Sequence, residues 1–172
     1  WFLGSTLVLV RKFDSEGVWD LFEEHGVNSV LITGDAMARP LMDALDANPE
    51  RWDLSSLLSL SSSAALFSQS LKDRYLEHFP NLIITDSIGS TESGFNGLTY
   101  ATKGAKAAAG GPTVTAGRDV VILDENFEII PEGDERVGKL GRGGNIPLGY
   151  FNDPKKTAET FVVASDGRRY AV

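Results

Sequence analysis

Cysteine is absent from this 172-residue chain, which excludes disulfide bonds, thiolate catalysis and cysteine-ligated metals. No apolar run reaches the roughly 18 residues that a membrane span needs, and no basic, apolar leader opens the sequence. Positive charge is also scarce, since 16 Lys and Arg face 24 Asp and Glu, a formal net charge of −8. Nucleic acid is therefore an unexpected partner, because binding its phosphates needs a basic face. Together these features favour a cytoplasmic protein without a transmembrane segment.

The first half of the sequence alternates short apolar runs with amphipathic helical patterns. Asp14 is an N-cap candidate for a helix that ends at Gly26, and Gly34 opens a second helix. We expect strands at residues 6–10, 27–33, 57–60 and 82–85, and a third helix at residues 68–79. Near-continuous apolar strands separated by helices predict a parallel sheet that is covered on both faces.

The pattern changes after Gly94, where helical periodicity fades and glycine and proline become frequent. Strand patterns follow at residues 118–123, 137–140 and 168–172. The expected fold class is α/β, with a parallel sheet flanked by helices followed by a smaller antiparallel β subdomain. We expect the two subdomains to span residues 1–97 and 98–172.

The segment with the most chemical content is residues 86–94, Asp-Ser-Ile-Gly-Ser-Thr-Glu-Ser-Gly, directly after an apolar strand. Ligands bind beyond the carboxyl ends of the strands in a parallel sheet, and Gly89 would let the backbone approach such a ligand closely. The hydroxyls of Ser90 and Thr91 suit phosphate oxygens, and Glu92 is a hard oxygen ligand suited to Mg²⁺. The alternative, of about equal weight for this segment alone, is a structural turn capped by its Asp or Ser side chains.

Two further segments are less informative by themselves. Residues 61–68 are small and serine-rich between a strand and a helix, which would let an aromatic ring lie against the backbone. Taken alone, these residues are better explained by a plain loop with Ser68 as helix N-cap. Residues 138–161 are explained by glycine-rich turns and a short helix that begins at Pro154.

Taken together and in order, these segments resemble the adenylate-forming superfamily, which includes acyl-CoA synthetases, firefly luciferase and peptide-synthetase adenylation domains. Residues 62–66 are similar to the family's adenine loop, residues 86–92 to its aromatic-Gly-x-Thr-Glu motif, and residues 138–161 to its Gly-Tyr, Asn-x-Pro, Thr-Ala and Phe series. The resemblance covers nearly the whole chain. It is strongest to fatty-acyl and steroid side-chain CoA ligases, through residues 34–40 and 146–150.

The resemblance implies a role for individual residues. Thr91 would contact the α-phosphate and Glu92 would hold Mg²⁺, and these two are the implied catalytic residues. Asp86 would face the adenine amine, while Ile88 stands where the family has a stacking aromatic residue. Gly94 and Phe95 would begin the acyl pocket. The implied nucleotide-binding set is Ser62, Ser63, Ala64, Ala65, Asp86, Ser87, Ile88, Gly89, Ser90 and Thr91.

The resemblance also implies an internal fragment of an ATP-dependent acyl-CoA synthetase that activates a fatty or sterol-derived acid, with ATP, Mg²⁺ and coenzyme A. The family's phosphate loop would lie upstream of this chain, and its ribose-binding Asp and catalytic Lys would lie downstream. We therefore expect the chain by itself to lack adenylation activity, to bind ATP or AMP weakly, and to self-associate through surface that its missing neighbours would cover.

The sequence also bears on three other functions. Residues 30–34 are typical of a Rossmann opening, but the Gly-x-Gly-x-x-Gly pattern is not completed. No Gly-x-Ser-x-Gly elbow supports a serine hydrolase, and His25 and His78 fall on expected helices. A degenerate adenylation fold that binds without catalysis stays open, because Ser63, Ala64 and Ile88 depart from the family pattern.

Overall fold

The computed structural model describes residues 4–105 and 113–172, and in these ranges it contains four helices and ten strands. The helices are α1 (Ser15–His25), α2 (Gly34–Ala47), α3 (Gln69–His78) and α4 (Pro154–Thr160). The strands are β1 (Ser29–Ile32), β2 (Ser59–Ser62), β3 (Ile83–Ser90), β4 (Gly94–Tyr100), β5 (Thr115–Ala116), β6 (Val120–Leu123), β7 (Ile129–Ile130), β8 (Lys139–Arg142), β9 (Phe161–Val163) and β10 (Arg169–Ala171). No helix in the described residues is long and apolar enough to cross a membrane.

Contacts divide the chain into two units that interleave along the sequence. The first unit is Trp1–Asp86 with Thr99–Thr113, and the second is Ser87–Leu98 with Val114–Val172. The sequence predicts a single boundary after residue 97. The observed division differs from this prediction because a tight turn joins β3 to β4. The end of β3 therefore groups with β4 and with the later strands.

The first unit contains the predicted parallel layer. β1 pairs with β2, and β2 with β3, both in parallel, so that Val30, Leu60 and Ile84 lie side by side. These residues point towards the three helices and share one apolar core with them. Trp19 of α1 is fully buried there, and its indole N–H donates to the Leu41 carbonyl at 2.8 Å. The α/β class and the parallel layer are confirmed.

The opposite face of this layer is exposed in the part of the chain that the structure describes. Leu31, Leu58 and Ile83 are 69%, 59% and 54% exposed. Neighbouring hydroxyls pair across the strands, as in the 2.7 Å bond from Ser59 to Ser29. The sequence predicts helices on both faces, whereas within the described residues they cover one.

Local signals place the helices well. The Asp14 side chain accepts from the Gly17 N–H at 2.9 Å, and Gly26 ends α1 in the left-handed conformation with φ 56°.

The strand predicted at residues 6–10 is wrong, because these residues belong to no strand and Leu9 is 86% exposed. An apolar run becomes a strand only when a neighbour satisfies its backbone groups.

The second unit is antiparallel, as predicted. Its main sheet has the order β7-β6-β8-β10-β9, and Leu123, Val162, Ala164 and Tyr170 form its core. The predicted strand at residues 137–140 lies two residues later, in β8. Separately, the end of β3 turns into β4, which pairs antiparallel with β5.

Candidate functional site

A cavity of about 420 Å³ opens within the second unit beside the turn between β3 and β4. Five residues of the segment singled out in the sequence contribute to its lining: Ile88, Gly89, Ser90, Glu92 and Ser93. Tyr150 and Val172 line it from the later part of the unit. The sequence motif therefore borders a concave space, the usual form of a small-molecule site.

The turn that carries the motif is held by its own polar side chains. The Ser90 hydroxyl accepts from the Ser93 N–H at 3.0 Å, and the Ser93 hydroxyl accepts from the Asn96 side-chain amide at 2.8 Å. At Gly89 an added Cβ would lie 2.4 Å from the Gly94 carbonyl oxygen. Gly89 is therefore required for the close approach of the two strands, which places Ser90 and Glu92 at the cavity.

Glu92 is half-buried, and its carboxylate accepts a hydrogen bond from the Tyr150 hydroxyl. This bond is the main cause that lowers the pKa of Glu92 below its ordinary value, with smaller contributions from its own backbone N–H, Ser90 and the charge of Lys156. A hydrogen bond to the charged form favours that form. The Glu92 carboxyl group is accordingly ionised at neutral pH.

The sequence pattern does not single out Tyr150, although the segment at residues 138–161 contains it. Its backbone N–H donates to the Thr157 hydroxyl at 2.9 Å, and the Lys156 ammonium lies 4.1 Å from the centre of its ring. The Phe161 ring is 6.1 Å away, between centroids. The only available signal was the Gly-Tyr pair, and 58 residues separate Tyr150 from Glu92.

Asp86, the proposed adenine-facing residue, lies at the end of the parallel part of β3 in the first unit, beside Ser62 in register. Its carboxylate forms an ion pair with Lys72 of α3, and the two side chains are 14% and 9% exposed. The Lys72 ammonium also lies 5.4 Å from the centre of the Phe67 ring. A lysine on the core side of α3, next to Leu71, was the available signal for this pairing.

The loop at residues 62–65 is fixed by the start of α2. The Ser62 hydroxyl accepts from the Gly34 N–H at 3.1 Å, and Asp35 donates its N–H to the Leu66 carbonyl at 2.8 Å. A Cβ on Gly34 would lie 2.4 Å from that same carbonyl oxygen. Ala64 adopts φ 68°, a left-handed conformation that favours glycine.

The expected site residues thus fall into two groups. Ile88, Gly89, Ser90 and Glu92 share the cavity of the second unit, and Thr91, Gly94 and Phe95 lie on the exposed surface of the same turn. Ser62, Ser63, Ala64, Ala65 and Asp86 belong to the first unit. Ser87 belongs to the second unit.

The residues beside the cavity could hold a divalent cation only together with a bound substrate. The described residues contain no group of three or more His, Cys, Asp or Glu that could hold a metal ion. Mg²⁺, however, is commonly bound through one or two carboxylates together with substrate phosphates and water. Glu92, with hydroxyls of the same turn beside it, suits a cation that is also bound by substrate phosphates and water.

This chain shares its sequence and its fold with known proteins. The sequence matches the AMP-binding enzyme family over residues 1–151. A medium/long-chain-fatty-acid–CoA/3-oxocholest-4-en-26-oate–CoA ligase of Mycolicibacterium smegmatis is 48% identical over 99% of this chain. A 3-oxocholest-4-en-26-oate–CoA ligase of Rhodococcus rhodochrous is 47% identical over 99% of the chain. The fold is similar to that of a long-chain-fatty-acid–CoA ligase from Archaeoglobus fulgidus, with a TM-score of 0.72 at 18% identity over 92% of this chain and 33% of that one.

The chain therefore belongs to the AMP-binding enzyme family. It spans 31% of the length of the two ligases from Mycolicibacterium and Rhodococcus.

Proposed function

We propose that the protein containing this chain is an AMP-forming acyl-CoA synthetase. Its substrates would be a fatty or sterol-derived carboxylic acid such as 3-oxocholest-4-en-26-oate, ATP and coenzyme A. The observation that carries the proposal is the cavity bordered by Ile88, Gly89, Ser90 and Glu92 in a chain of the AMP-binding family. The relatives that are 47–48% identical are named as CoA ligases of these acids.

The reaction would proceed in two transfers. In the first, a carboxylate oxygen of the acid attacks the α-phosphorus of ATP, and pyrophosphate leaves. In the second, the thiolate of coenzyme A attacks the acyl carbonyl carbon, and AMP leaves with the bridging oxygen. The first transfer depends on groups that position the triphosphate and offset its charge.

The residues of the turn would act at the phosphate end of the nucleotide. The hydroxyls of Ser90 and Thr91 are suited to donate to α-phosphate oxygens. Glu92 would hold Mg²⁺, which when bound would neutralise part of the triphosphate charge. Gly94 and Phe95 directly follow and would begin the acyl pocket.

The base end of the nucleotide is assigned to the first unit and to the start of the motif. Asp86 would accept from the exocyclic amine of adenine, and Lys72 would keep that carboxylate in place. Ile88 would offer an aliphatic contact to the ring. The family resemblance also assigns Ser62, Ser63, Ala64, Ala65 and Ser87 to nucleotide binding.

The test is ATP–pyrophosphate exchange with the full protein, using a long-chain fatty acid and 3-oxocholest-4-en-26-oate. Glu92→Gln should lower the exchange rate about 100-fold while the unfolding midpoint stays near that of the wild type. Glu125→Gln, the same change on an exposed turn of the second unit, is the matched control and should leave exchange unchanged.

Two results would decide against the proposal. An unchanged exchange rate in Glu92→Gln would remove Glu92 from the site. The absence of acid-dependent exchange in the wild type, with AMP binding retained, would instead support a non-catalytic adenylation-fold module.

A further inference from the structure

The bond between Tyr150 and Glu92 joins two parts of the second unit that lie 58 residues apart, at the edge of the same cavity. We propose that Tyr150 is a positioning residue that orients the Glu92 carboxylate to hold a divalent cation by one oxygen. This inference rests on the proposed function, because it assigns Glu92 to the cation. Tyr150 would act on the cation through Glu92.

The direction of the bond supports this role. A phenol hydroxyl beside an ionised carboxylate acts as the donor, and such charge-assisted bonds are stronger than neutral ones. Here the hydroxyl donates to Oε1 of Glu92. With that oxygen engaged, the carboxylate is biased towards binding a cation through Oε2 alone. Hydrogen-bond partners that orient a metal ligand in this way commonly change metal affinity 10–100-fold when removed.

Tyr150 is itself held at its backbone and at its ring, as a positioning residue must be. Its backbone N–H is anchored on the Thr157 hydroxyl at 2.9 Å, and that hydroxyl donates to the Asp153 carbonyl at 2.7 Å. The Lys156 ammonium lies over the ring at 4.1 Å from its centre. The backbone anchor and the ring contact act on different parts of Tyr150, so the hydroxyl has a defined position.

Close approach of the backbone adds to this anchoring. A Cβ at Gly149 would lie 2.5 Å from the Thr157 methyl carbon. The residue before the tyrosine must therefore be glycine for the loop to lie against α4. The loop that carries Tyr150 is thus in close contact with α4 at Thr157.

The experiment measures cation binding directly, with the full protein, Mn²⁺ as the probe and a non-hydrolysable ATP analogue. Electron paramagnetic resonance of free Mn²⁺ gives the dissociation constant. Tyr150→Phe keeps the ring contacts and removes the hydroxyl, so it should raise the Mn²⁺ Kd about tenfold or more. The Mg²⁺ concentration for half-maximal pyrophosphate exchange should rise in parallel. Tyr100→Phe, the same change at a tyrosine that is 66% exposed, should change neither quantity.

The variants separate this inference from the proposed function. A rise in the Mn²⁺ Kd for both Glu92→Gln and Tyr150→Phe supports this inference and the proposed function. A rise for Glu92→Gln alone overturns the role of Tyr150 and leaves Glu92 in place. No rise for Glu92→Gln overturns the cation assignment itself. Should Tyr150→Phe fail to fold, Thr157→Ala carries the test, since it releases the backbone anchor of Tyr150 and should raise the Kd in the same direction.

Discussion

Lys72 and Asp86 form an ion pair in which the side chains are only 9% and 14% exposed. The lysine reaches Asp86 from α3, in the same unit, and its ammonium also lies near the Phe67 ring. Two charges so far from water stabilise a fold only when each satisfies the other. The carboxylate proposed to face adenine is therefore held by a second residue of the same unit.

The first prediction concerns the cost of breaking this pair. Lys72→Met should lower the free energy of unfolding by about 3 kcal/mol, because it leaves the Asp86 carboxylate poorly solvated and unpaired. Lys103→Met is the matched control, since its pair with Glu77 spans 3.6 Å with both side chains about 60% exposed, and it should cost about 0.5 kcal/mol or less. Urea unfolding of the three proteins measures both effects. Equal costs would show that the buried pair contributes no more than a surface pair.

The second prediction concerns the contact between Gly34 and the loop at residues 62–65. Gly34 and Gly26 have nearly the same φ, 50° and 56°. A Cβ at Gly26 meets nothing within 4 Å, whereas at Gly34 it would lie 2.4 Å from the Leu66 carbonyl oxygen. Gly26→Ala should cost about 1–2 kcal/mol of stability from backbone strain alone.

Gly34→Ala should cost about 2 kcal/mol more than Gly26→Ala, because the steric conflict adds to the strain. It should also weaken AMP binding in the full protein, since the loop proposed to contact adenine must move. Urea unfolding and calorimetric titration with AMP provide the two measurements. If both alanine variants lose the same stability, the loop yields easily and the supporting role of Gly34 is wrong.

The third prediction concerns acid sensitivity. A hydrogen bond from Arg74 is the main cause that lowers the pKa of Asp46, with a further contribution from His78. A carboxyl group with a folded pKa below its unfolded value binds more protons when unfolded. Its contribution to stability is therefore complete above the ordinary value of about 4 and is lost as pH falls through the folded pKa.

Asp46→Asn should accordingly lower the free energy of unfolding by about 0.5 kcal/mol at pH 7, because the Asp46 side chain is 44% exposed and water screens the pair. The difference from the wild type should shrink steadily below pH 4. Glu24→Gln, a change on the exposed surface of α1, is the control and should follow the wild type. A difference between Asp46→Asn and wild type that stays constant down to pH 3 would contradict the assigned cause.

The sequence alone predicts the helices best, because their signals are local. Asp14 and Gly26 mark the ends of α1 through hydrogen bonds and a left-handed turn that span only a few residues. The family of the chain also follows from sequence, since its motifs lie in order along the chain and need no structure to be compared. Glu92 and Ile88 were identified as candidate site residues in this way, and their roles remain proposals.

Tertiary pairing decided the strands that sequence misplaced. β2 lies at Ser59–Ser62, where Ser59 pairs with Ser29 and with Ile83. Serine has little strand preference, so the apolar residues place the predicted strand at residues 57–60, which is two residues before β2. Residues 6–10 have a better strand composition but pair with no strand in the described chain. A strand is defined by its neighbours, which local composition does not contain.

Composition, residue order and local capping by themselves determined the α/β class, the helix ends and the family to which this chain belongs. Only the tertiary structure decided which side chains support the candidate site. Lys72 reaches Asp86 across 14 residues, and Tyr150 reaches Glu92 across 58. The physical reason is that a hydrogen bond or ion pair depends on distance in space. Residues far apart along the chain come within that distance only after the sheet and its loops have formed.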